Sequence, residues 1–120
     1  MQATTGHDSQ LLKGVLVLVL LRLLDRRESY GYELVTRVHA AGLTAVAEGS
    51  IYPAIARLER DGYLVARMAP TQSGPARKYV RLSPAGRRFM HERTQAWRSL
   101  VAVLDPLLAD HDSTLPEVTR

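Results

Sequence analysis

The chain of 120 residues contains no cysteine, which excludes disulfides and thiolate metal sites. A long uncharged apolar run is also missing. The most apolar stretch, residues 11–24, is interrupted by Lys13 and Arg22, whereas crossing a bilayer takes roughly 20 apolar residues. The first ten residues have neither the basic start nor the apolar core of a secretory signal. These absences predict a cytoplasmic protein without a membrane partner.

Motifs of catalysis are absent as well. The sequence has no nucleophile elbow, phosphate loop or dinucleotide fingerprint. Residues 91–95 fail the zinc protease pattern because Gln95 stands where the second histidine is needed. We therefore expect no enzyme activity, no cofactor and no metal. A metal sensor that uses His91, His111 or Glu92 is the remaining alternative of this kind.

The positive charge is concentrated in one part of the chain. The net charge is +4, yet residues 10–88 carry 13 basic and 6 acidic side chains. Residues 57–88 alone hold 8 basic side chains against Glu59 and Asp61. Such a field favours a polyanion, nucleic acid above all, as partner. A solvated basic face is the alternative.

The length predicts one domain, with residues 1–8 as a disordered lead. Residues 10–25 predict a helix capped by Ser9, with leucine or valine on nearly every face. A helix that is apolar all round must be buried all round. Because so small a domain covers only one side of it, we expect a second subunit to cover the other.

Two further helices follow. Ser29 is expected to cap the second, which starts at Tyr30 and ends at Gly42. The third is expected to begin at Ser50, whose hydroxyl would accept the Tyr52 amide, with Pro53 in its first turn. Its buried stripe and its stop are Ile51, Ile55, Leu58 and Gly62.

Two strands and a long helix complete the pattern. Residues 63–68 and 77–82 predict a two-stranded wing, and Ser83-Pro84 predicts a helix start. The fold class expected is mainly α, with a winged helix-turn-helix over 9–83 and a dimerisation helix over 84–110. Pro106 predicts either a kink or a separate final turn capped by Asp105. Residues 111–120 are expected to be a disordered tail.

Motifs spread over about residues 10–108 resemble the PadR family of transcriptional regulators. They are Leu12-Lys13-Gly14, Tyr30-Gly31-Tyr32-Glu33-Leu34, Glu48-Gly49-Ser50-Ile51-Tyr52-Pro53, Arg57-Leu58-Glu59, Gly74-Pro75-Ala76-Arg77-Lys78-Tyr79 and Leu82-Ser83-Pro84-Ala85-Gly86. Ser50, Ile51 and Val80 depart mildly from the family pattern, and Pro106 departs more. The resemblance implies a homodimeric, ligand-responsive repressor that binds a near-palindromic DNA operator, from the subfamily with a single dimerisation helix.

The third helix supplies the first candidate site residues, because the start of such a helix reaches base edges in the major groove. With one face buried, the outward residues are Ser50, Tyr52, Pro53, Ala56, Arg57 and Arg60. Tyr52 alternatively packs between helix and wing. Arg57 alternatively pairs with Asp61 at i+4, and Arg60 is alternatively plain surface.

The wing supplies a second set. Arg77 and Lys78 lie just past its tip, where long cations reach phosphates. Tyr30 is expected to donate its hydroxyl to a phosphate or to pack in the core, and Lys13 is a further phosphate contact.

The long helix carries a third set, Trp97, Val101 and Leu104, on its apolar face. Some family members sandwich flat aromatic compounds between paired tryptophans, so the resemblance makes Trp97 a candidate contact for an aromatic effector. The alternative, which we favour, is an anchor in the dimer interface. The rival function is a winged-helix protein-interaction module without DNA binding.

Overall fold

The computed structural model describes the backbone of residues 9–118 and the side chains of residues 12–109. The elements are α1 (Ser9–Arg26), β1 (Ser29–Tyr30), α2 (Gly31–Ala40), α3 (Glu48–Arg60), β2 (Leu64–Ala69), β3 (Arg77–Leu82) and α4 (Pro84–Val118). Contacts divide the chain after Met90 into two units. The predicted class, mainly α with a winged helix-turn-helix and a long C-terminal helix, is confirmed. The expected disordered lead, residues 1–8, lies outside the described residues.

The sheet has three antiparallel strands in the order β1-β3-β2, one more than predicted. In β1, Ser29 pairs with Val80 and Tyr30 pairs with Tyr79. The prediction that Ser29 caps α2 was wrong. Its side chain is buried and its hydroxyl accepts a hydrogen bond from Arg37 at 2.7 Å. A two-residue strand is too short to show a sequence pattern, but it covers an edge of β3 that would otherwise be unpaired.

Arg37 joins α1, β1 and α2. Besides Ser29, its guanidinium donates to the carbonyl oxygens of Leu23 at 2.7 Å and Arg27 at 3.2 Å. Leu23 lies in the last turn of α1, where its carbonyl also accepts the Arg27 amide at 3.4 Å, and Arg27 follows the helix directly. Burial lowers the pKa of Arg37. The Arg37 side chain, on α2, therefore holds the end of α1 against α2 by hydrogen bonds. The sequence did not indicate this role.

The core of the first unit lies between the three helices and the sheet. Leu20, Leu21, Leu34 and Ile51 are almost completely buried. The stripe predicted for α3 is confirmed, since Ile51, Ile55 and Leu58 all face this core. By contrast α1 also carries half-buried side chains, which are Val15, Val17, Leu18 and Val19. The chain's own residues thus cover α1 incompletely, as its all-round apolar pattern predicted.

The start of α3 differs from the prediction. The helix begins at Glu48, and no side chain caps it: Ala47 has extended backbone and Ser50 already lies in the first turn, its amide bonded to the Ala47 carbonyl at 2.9 Å. Pro53 is therefore the sixth helical residue and not a first-turn residue. It leaves the Gly49 carbonyl without its i+4 donor. That is tolerable because Gly49 is exposed to water.

Glycines end α2 and α3, as predicted. Gly42 has φ 119° and Gly62 has φ 86°, values that side chains rarely adopt. At Gly62 the amides of Gly62 and Tyr63 bond back to the carbonyls of Glu59 and Leu58. This closure turns the chain directly from α3 into β2. The wing is consequently fixed beside α3.

The predicted helix start at Ser83-Pro84 is confirmed. The Ser83 hydroxyl donates to the Gly62 carbonyl at 2.6 Å and accepts the Gly86 amide at 3.0 Å. It thereby ties the end of α3 to the start of α4. The helix α4 continues through Pro106 and past residue 110 to Val118, so Asp105 does not begin a separate turn. None of the described helices is both long and apolar enough to cross a membrane.

Candidate nucleic-acid interface

The outward face of α3 is the first part of the candidate interface. All six residues predicted to point outward are exposed: Ser50, Tyr52, Pro53, Ala56, Arg57 and Arg60. Within the described part of the chain, Arg57 and Arg60 make no ion pair. The alternative pairing of Arg57 with Asp61 is therefore not formed. Two unpartnered guanidinium groups remain available to an anionic ligand.

Tyr52 is both packed and exposed, but it packs on the start of α2, whereas the alternative drawn from the sequence placed it between helix and wing. Its ring lies against the backbone of Gly31, so closely that a Cβ on Gly31 would lie 2.7 Å from the Tyr52 Cε1 atom. The side chain is still 40% exposed. Packing on the start of α2 thus fixes the ring and leaves part of it accessible. Gly31 is needed here for close approach and not for an unusual φ.

The two cations just past the wing tip, Arg77 and Lys78, lie on opposite faces of the sheet, because successive strand residues alternate. Lys78 points towards α3, where its Nζ lies 2.8 Å from Glu59 Oε1. Arg77 points away and stacks on Tyr30, with its guanidinium carbon 4.3 Å from the ring centre. The prediction treated them as an equivalent pair. Only Arg77 is free of an acidic partner among the described residues.

A row of stacked side chains covers the outer face of the sheet. Tyr30 meets Tyr79 edge to face at 5.4 Å, and the Arg67 guanidinium lies 5.0 Å from the Tyr79 ring centre. The strand register aligns these residues across β1, β3 and β2. Tyr30 is half-buried in this row. It therefore belongs to the sheet surface, which makes the alternative of a core role wrong.

Glu28 ends the row. Its carboxylate accepts two hydrogen bonds from Arg67, one from Nε at 3.0 Å and one from Nη2. The hydrogen-bonded guanidinium of Arg67 holds the pKa of Glu28 below its ordinary value, and the charge of Arg81 acts in the same direction. Sequence reasoning missed Glu28, Arg67 and Tyr79. The alternation of residues 77, 79 and 81 along β3 was the available signal for a common face.

A groove separates the first half of α1 from α3 and the residues just before it. Its volume is about 630 Å³, and its lining includes Lys13, Ser50, Pro53 and Arg57. Lys13 is exposed. The structure thus brings four of the residues considered for DNA contact to one concave surface. Sequence spacing did not predict the concavity, because it arises from the packing of two helices.

The remaining candidates lie in the second unit, on α4. Trp97 is half-buried, whereas Val101 and Leu104 are exposed on the same helical face. The exposed apolar side chains of this part of α4 are Leu100, Val101, Val103, Leu104, Leu107 and Leu108. An apolar stripe of this length marks an interaction surface.

The described residues contain no group of three or more His, Cys, Asp and Glu side chains placed to hold a metal ion. His91 and Glu92 are exposed on α4. His111, the third residue of the metal-sensor alternative, lies outside the described side chains.

Comparisons with known proteins agree with this architecture. A crystal structure of a PadR-like transcriptional regulator from Bacillus cereus superimposes with a TM-score of 0.75 at 35% identity, covering 82% of this chain and 96% of that chain. A crystal structure of a PadR family transcriptional regulator from Eggerthella lenta superimposes with a TM-score of 0.74 at 31% identity, covering 82% of this chain and 86% of that chain. A transcriptional regulator of Mycobacterium tuberculosis is 38% identical over 71 residues, 52% of this chain and 65% of the relative.

The family itself is established by a match along the chain. The model of the PadR-like family of transcriptional regulators matches residues 20–92, which is more than half of the protein. This range contains β1, the α2–α3 pair and the wing. The chain therefore belongs to the PadR-like family of DNA-binding transcriptional regulators.

Proposed function

We propose that the protein is a homodimeric, ligand-responsive repressor that binds a near-palindromic operator. The observation that carries the proposal is the exposed face of α3, where Arg57 and Arg60 have no ion-pair partner among the described residues. This face adjoins a cationic wing in a chain of the PadR-like family. Together these features suit a duplex better than a protein partner.

The exposed face of α3 enters the major groove. Tyr52, which is 40% exposed, offers its ring and hydroxyl. Arg57, five residues further along the helix, can donate two parallel hydrogen bonds to a guanine edge. Ser50 and Pro53 lie on the same face, where the serine hydroxyl contacts a base edge or a phosphate. Sequence is read by these residues.

Contacts to the DNA backbone fix the position and orientation of the protein on the duplex. Lys13 and Arg77 each neutralise a phosphate, and the Tyr30 hydroxyl donates to one. Lys78 contributes less, because Glu59 already neutralises part of its charge.

Two copies assemble through the exposed apolar stripe of α4 together with the half-buried residues of α1 outside the α1–α3 groove, which are Val15, Leu18 and Val19. Trp97, Val101 and Leu104 lie in this interface. In helix-turn-helix dimers the half-sites lie about one turn of duplex apart, ~34 Å, or a multiple of it. A dimer bound across a promoter excludes the polymerase, which gives repression.

An aromatic effector contacts Trp97 and releases the repressor. A ligand that binds the DNA-incompetent dimer better than the competent one shifts the population away from DNA. Quenching of the single tryptophan by aromatic compounds tests this contact; unchanged emission in their presence would remove it.

The test of the proposed function selects an operator from random duplexes and measures binding by fluorescence anisotropy. If three cations per copy contact phosphates, affinity falls by about 10³-fold between about 50 and 200 mM salt. Arg57→Gln costs about 1–3 kcal/mol on the selected operator and much less on random duplex. Arg26→Gln, on the exposed last turn of α1, is the matched control. Absent or salt-insensitive binding would favour the protein-interaction module.

A further inference from the structure

The groove between α1 and α3 has an apolar floor. Its volume of about 630 Å³ lies in the range of about 300–1,000 Å³ found for small-molecule sites. The floor consists of aliphatic side chains: Leu12, Leu16, Val17, Val46, Pro53 and Ala54. Most of them belong to the core or pack against it. The groove is therefore the open edge of the hydrophobic core.

The rim of the groove is cationic. Lys13 from α1 and Arg57 from α3 both line it, and none of the acidic side chains described by the structure does. Neither cation forms an ion pair with the residues that the structure describes. An apolar surface that ends in two unpaired positive groups matches a molecule with a hydrocarbon tail and an anionic head.

We propose that this groove binds a small amphipathic anion, a medium-chain aliphatic carboxylate. The carboxylate accepts charge-assisted hydrogen bonds from Arg57 and lies near Lys13, while the tail covers the leucine and valine floor. Among residues 12–109, no aromatic side chain lines the groove, which favours a flexible aliphatic tail over a flat ring. A second copy fits less well, because its apolar helix would desolvate two cations without pairing them.

Binding of this anion excludes DNA. Arg57 and Ser50 line the groove and also belong to the face proposed to read the major groove. One guanidinium cannot hold a carboxylate and a guanine edge together. The competition rests on the proposed function, whereas the binding of the anion does not.

The direct test uses the full chain without DNA. Isothermal titration with octanoate, kept below its micellar range, is compared with octanol, which has the tail without the charge, and butyrate, which has the charge and a short tail. We expect octanoate to bind measurably tighter than both. Lys13→Gln weakens octanoate binding by roughly two- to fivefold, the size of an exposed ion pair, and the matched control Arg26→Gln does not. Equal binding of octanol, or no effect of Lys13→Gln, overturns the proposal.

A second measurement separates this site from the DNA-binding function. Octanoate added to a preformed protein–operator complex lowers anisotropy in the wild type, with a midpoint that moves to higher concentration in Lys13→Gln. If octanoate binds but the protein binds no DNA, the proposal for the groove stands and the proposed function is wrong. DNA binding that octanoate leaves unchanged overturns the competition with DNA. Octanoate that acts only by dissociating the dimer in sedimentation overturns the groove as its site.

Discussion

Arg57 and Lys78 carry the same charge but lie in different surroundings. Arg57 has no acidic neighbour within ion-pair distance in the described structure, whereas Lys78 lies 2.8 Å from Glu59. The sequence places both in the same basic stretch. The positive charge available to a phosphate therefore depends on which cations folding brings close to a carboxylate. A count of the cations in the sequence overestimates that charge.

Glu59→Gln tests this difference. Loss of the carboxylate frees Lys78, so we expect tighter binding to duplex, by roughly two- to fivefold, and little change in stability because exposed pairs contribute only about 0–1 kcal/mol. Anisotropy at low salt is the measurement. The control is the same substitution in a Lys78→Gln background, where the gain should disappear. An undiminished gain would show that only net charge matters.

Gly86 is a residue whose smallness the fold requires. A Cβ at this position would overlap the carbonyl oxygen of Tyr63, which belongs to the turn from α3 into the wing. Backbone atoms cannot move aside as a flexible side chain can. We expect Gly86→Ala to lower the free energy of unfolding by about 1–3 kcal/mol or somewhat more, measured by urea denaturation. Gly14→Ala is the control.

At Gly14 an added Cβ has no atom within 4 Å, and the position lies in the exposed part of α1. There the substitution should stabilise the protein by about 0.5–1 kcal/mol, because alanine favours the helix. Equal stability changes at both glycines would contradict the close approach at Gly86.

At the scale of the secondary-structure elements, side chains from β1, β3 and β2 form one stacked row on the outer face of the sheet and join the three strands. The row connects Glu28, before β1, to Arg67 in β2, with the tyrosine rings between Arg67 and Arg77. It holds the wing against the start of α2. The orientation of Arg77 therefore depends on residues that are far from it in sequence.

Glu28 makes this connection dependent on pH. Because Arg67 lowers the pKa of the folded carboxyl, the stabilisation is present above the ordinary value of 4.5 and is lost as the pH falls through the lowered pKa. We expect wild type to be more stable than Glu28→Gln at neutral pH. The difference should vanish in acid. Denaturation over a pH series measures it, and a difference independent of pH would contradict the ion pair.

At the scale of the whole molecule, the apolar stripe of α4 is the surface through which we propose that two copies assemble. Val103 and Leu107 are 61% and 62% exposed. Monomeric soluble proteins rarely leave a large continuous apolar patch exposed to water. We expect Leu104→Glu to convert the dimer to single chains in sedimentation and to weaken operator binding by at least tenfold, since one reading unit is lost.

Ser99→Glu provides the control on the opposite side of the same helix, where Ser99 is exposed and polar. This variant should remain dimeric and bind the operator as wild type does. A dimer that survives Leu104→Glu would place the interface elsewhere on the chain.

The sequence by itself determined the features that depend on local pattern. The buried stripe of α3, the stops at Gly42 and Gly62, the Ser83-Pro84 helix start and the PadR-like family were all predicted, and all are confirmed. The structural features each depend on a few neighbouring residues, since periodicity, backbone freedom and capping act over one or two turns. The family shows in short motifs of the same kind, repeated along the chain. The distribution of positive charge along the chain is likewise a property of the sequence.

Only the tertiary structure decided the features that join distant segments. The strand Ser29–Tyr30 exists because β3 offers it an edge. Lys78 is paired because Glu59 lies across from it. The helix α3 begins at Glu48 and not at the predicted Ser50, and it has no side-chain cap. The groove between α1 and α3 belongs to the same class. Such contacts depend on where residues 19 to 51 positions apart in the sequence come to lie, as Glu59 and Lys78 or Ser29 and Val80 do. Packing energy, summed over the core, sets that arrangement.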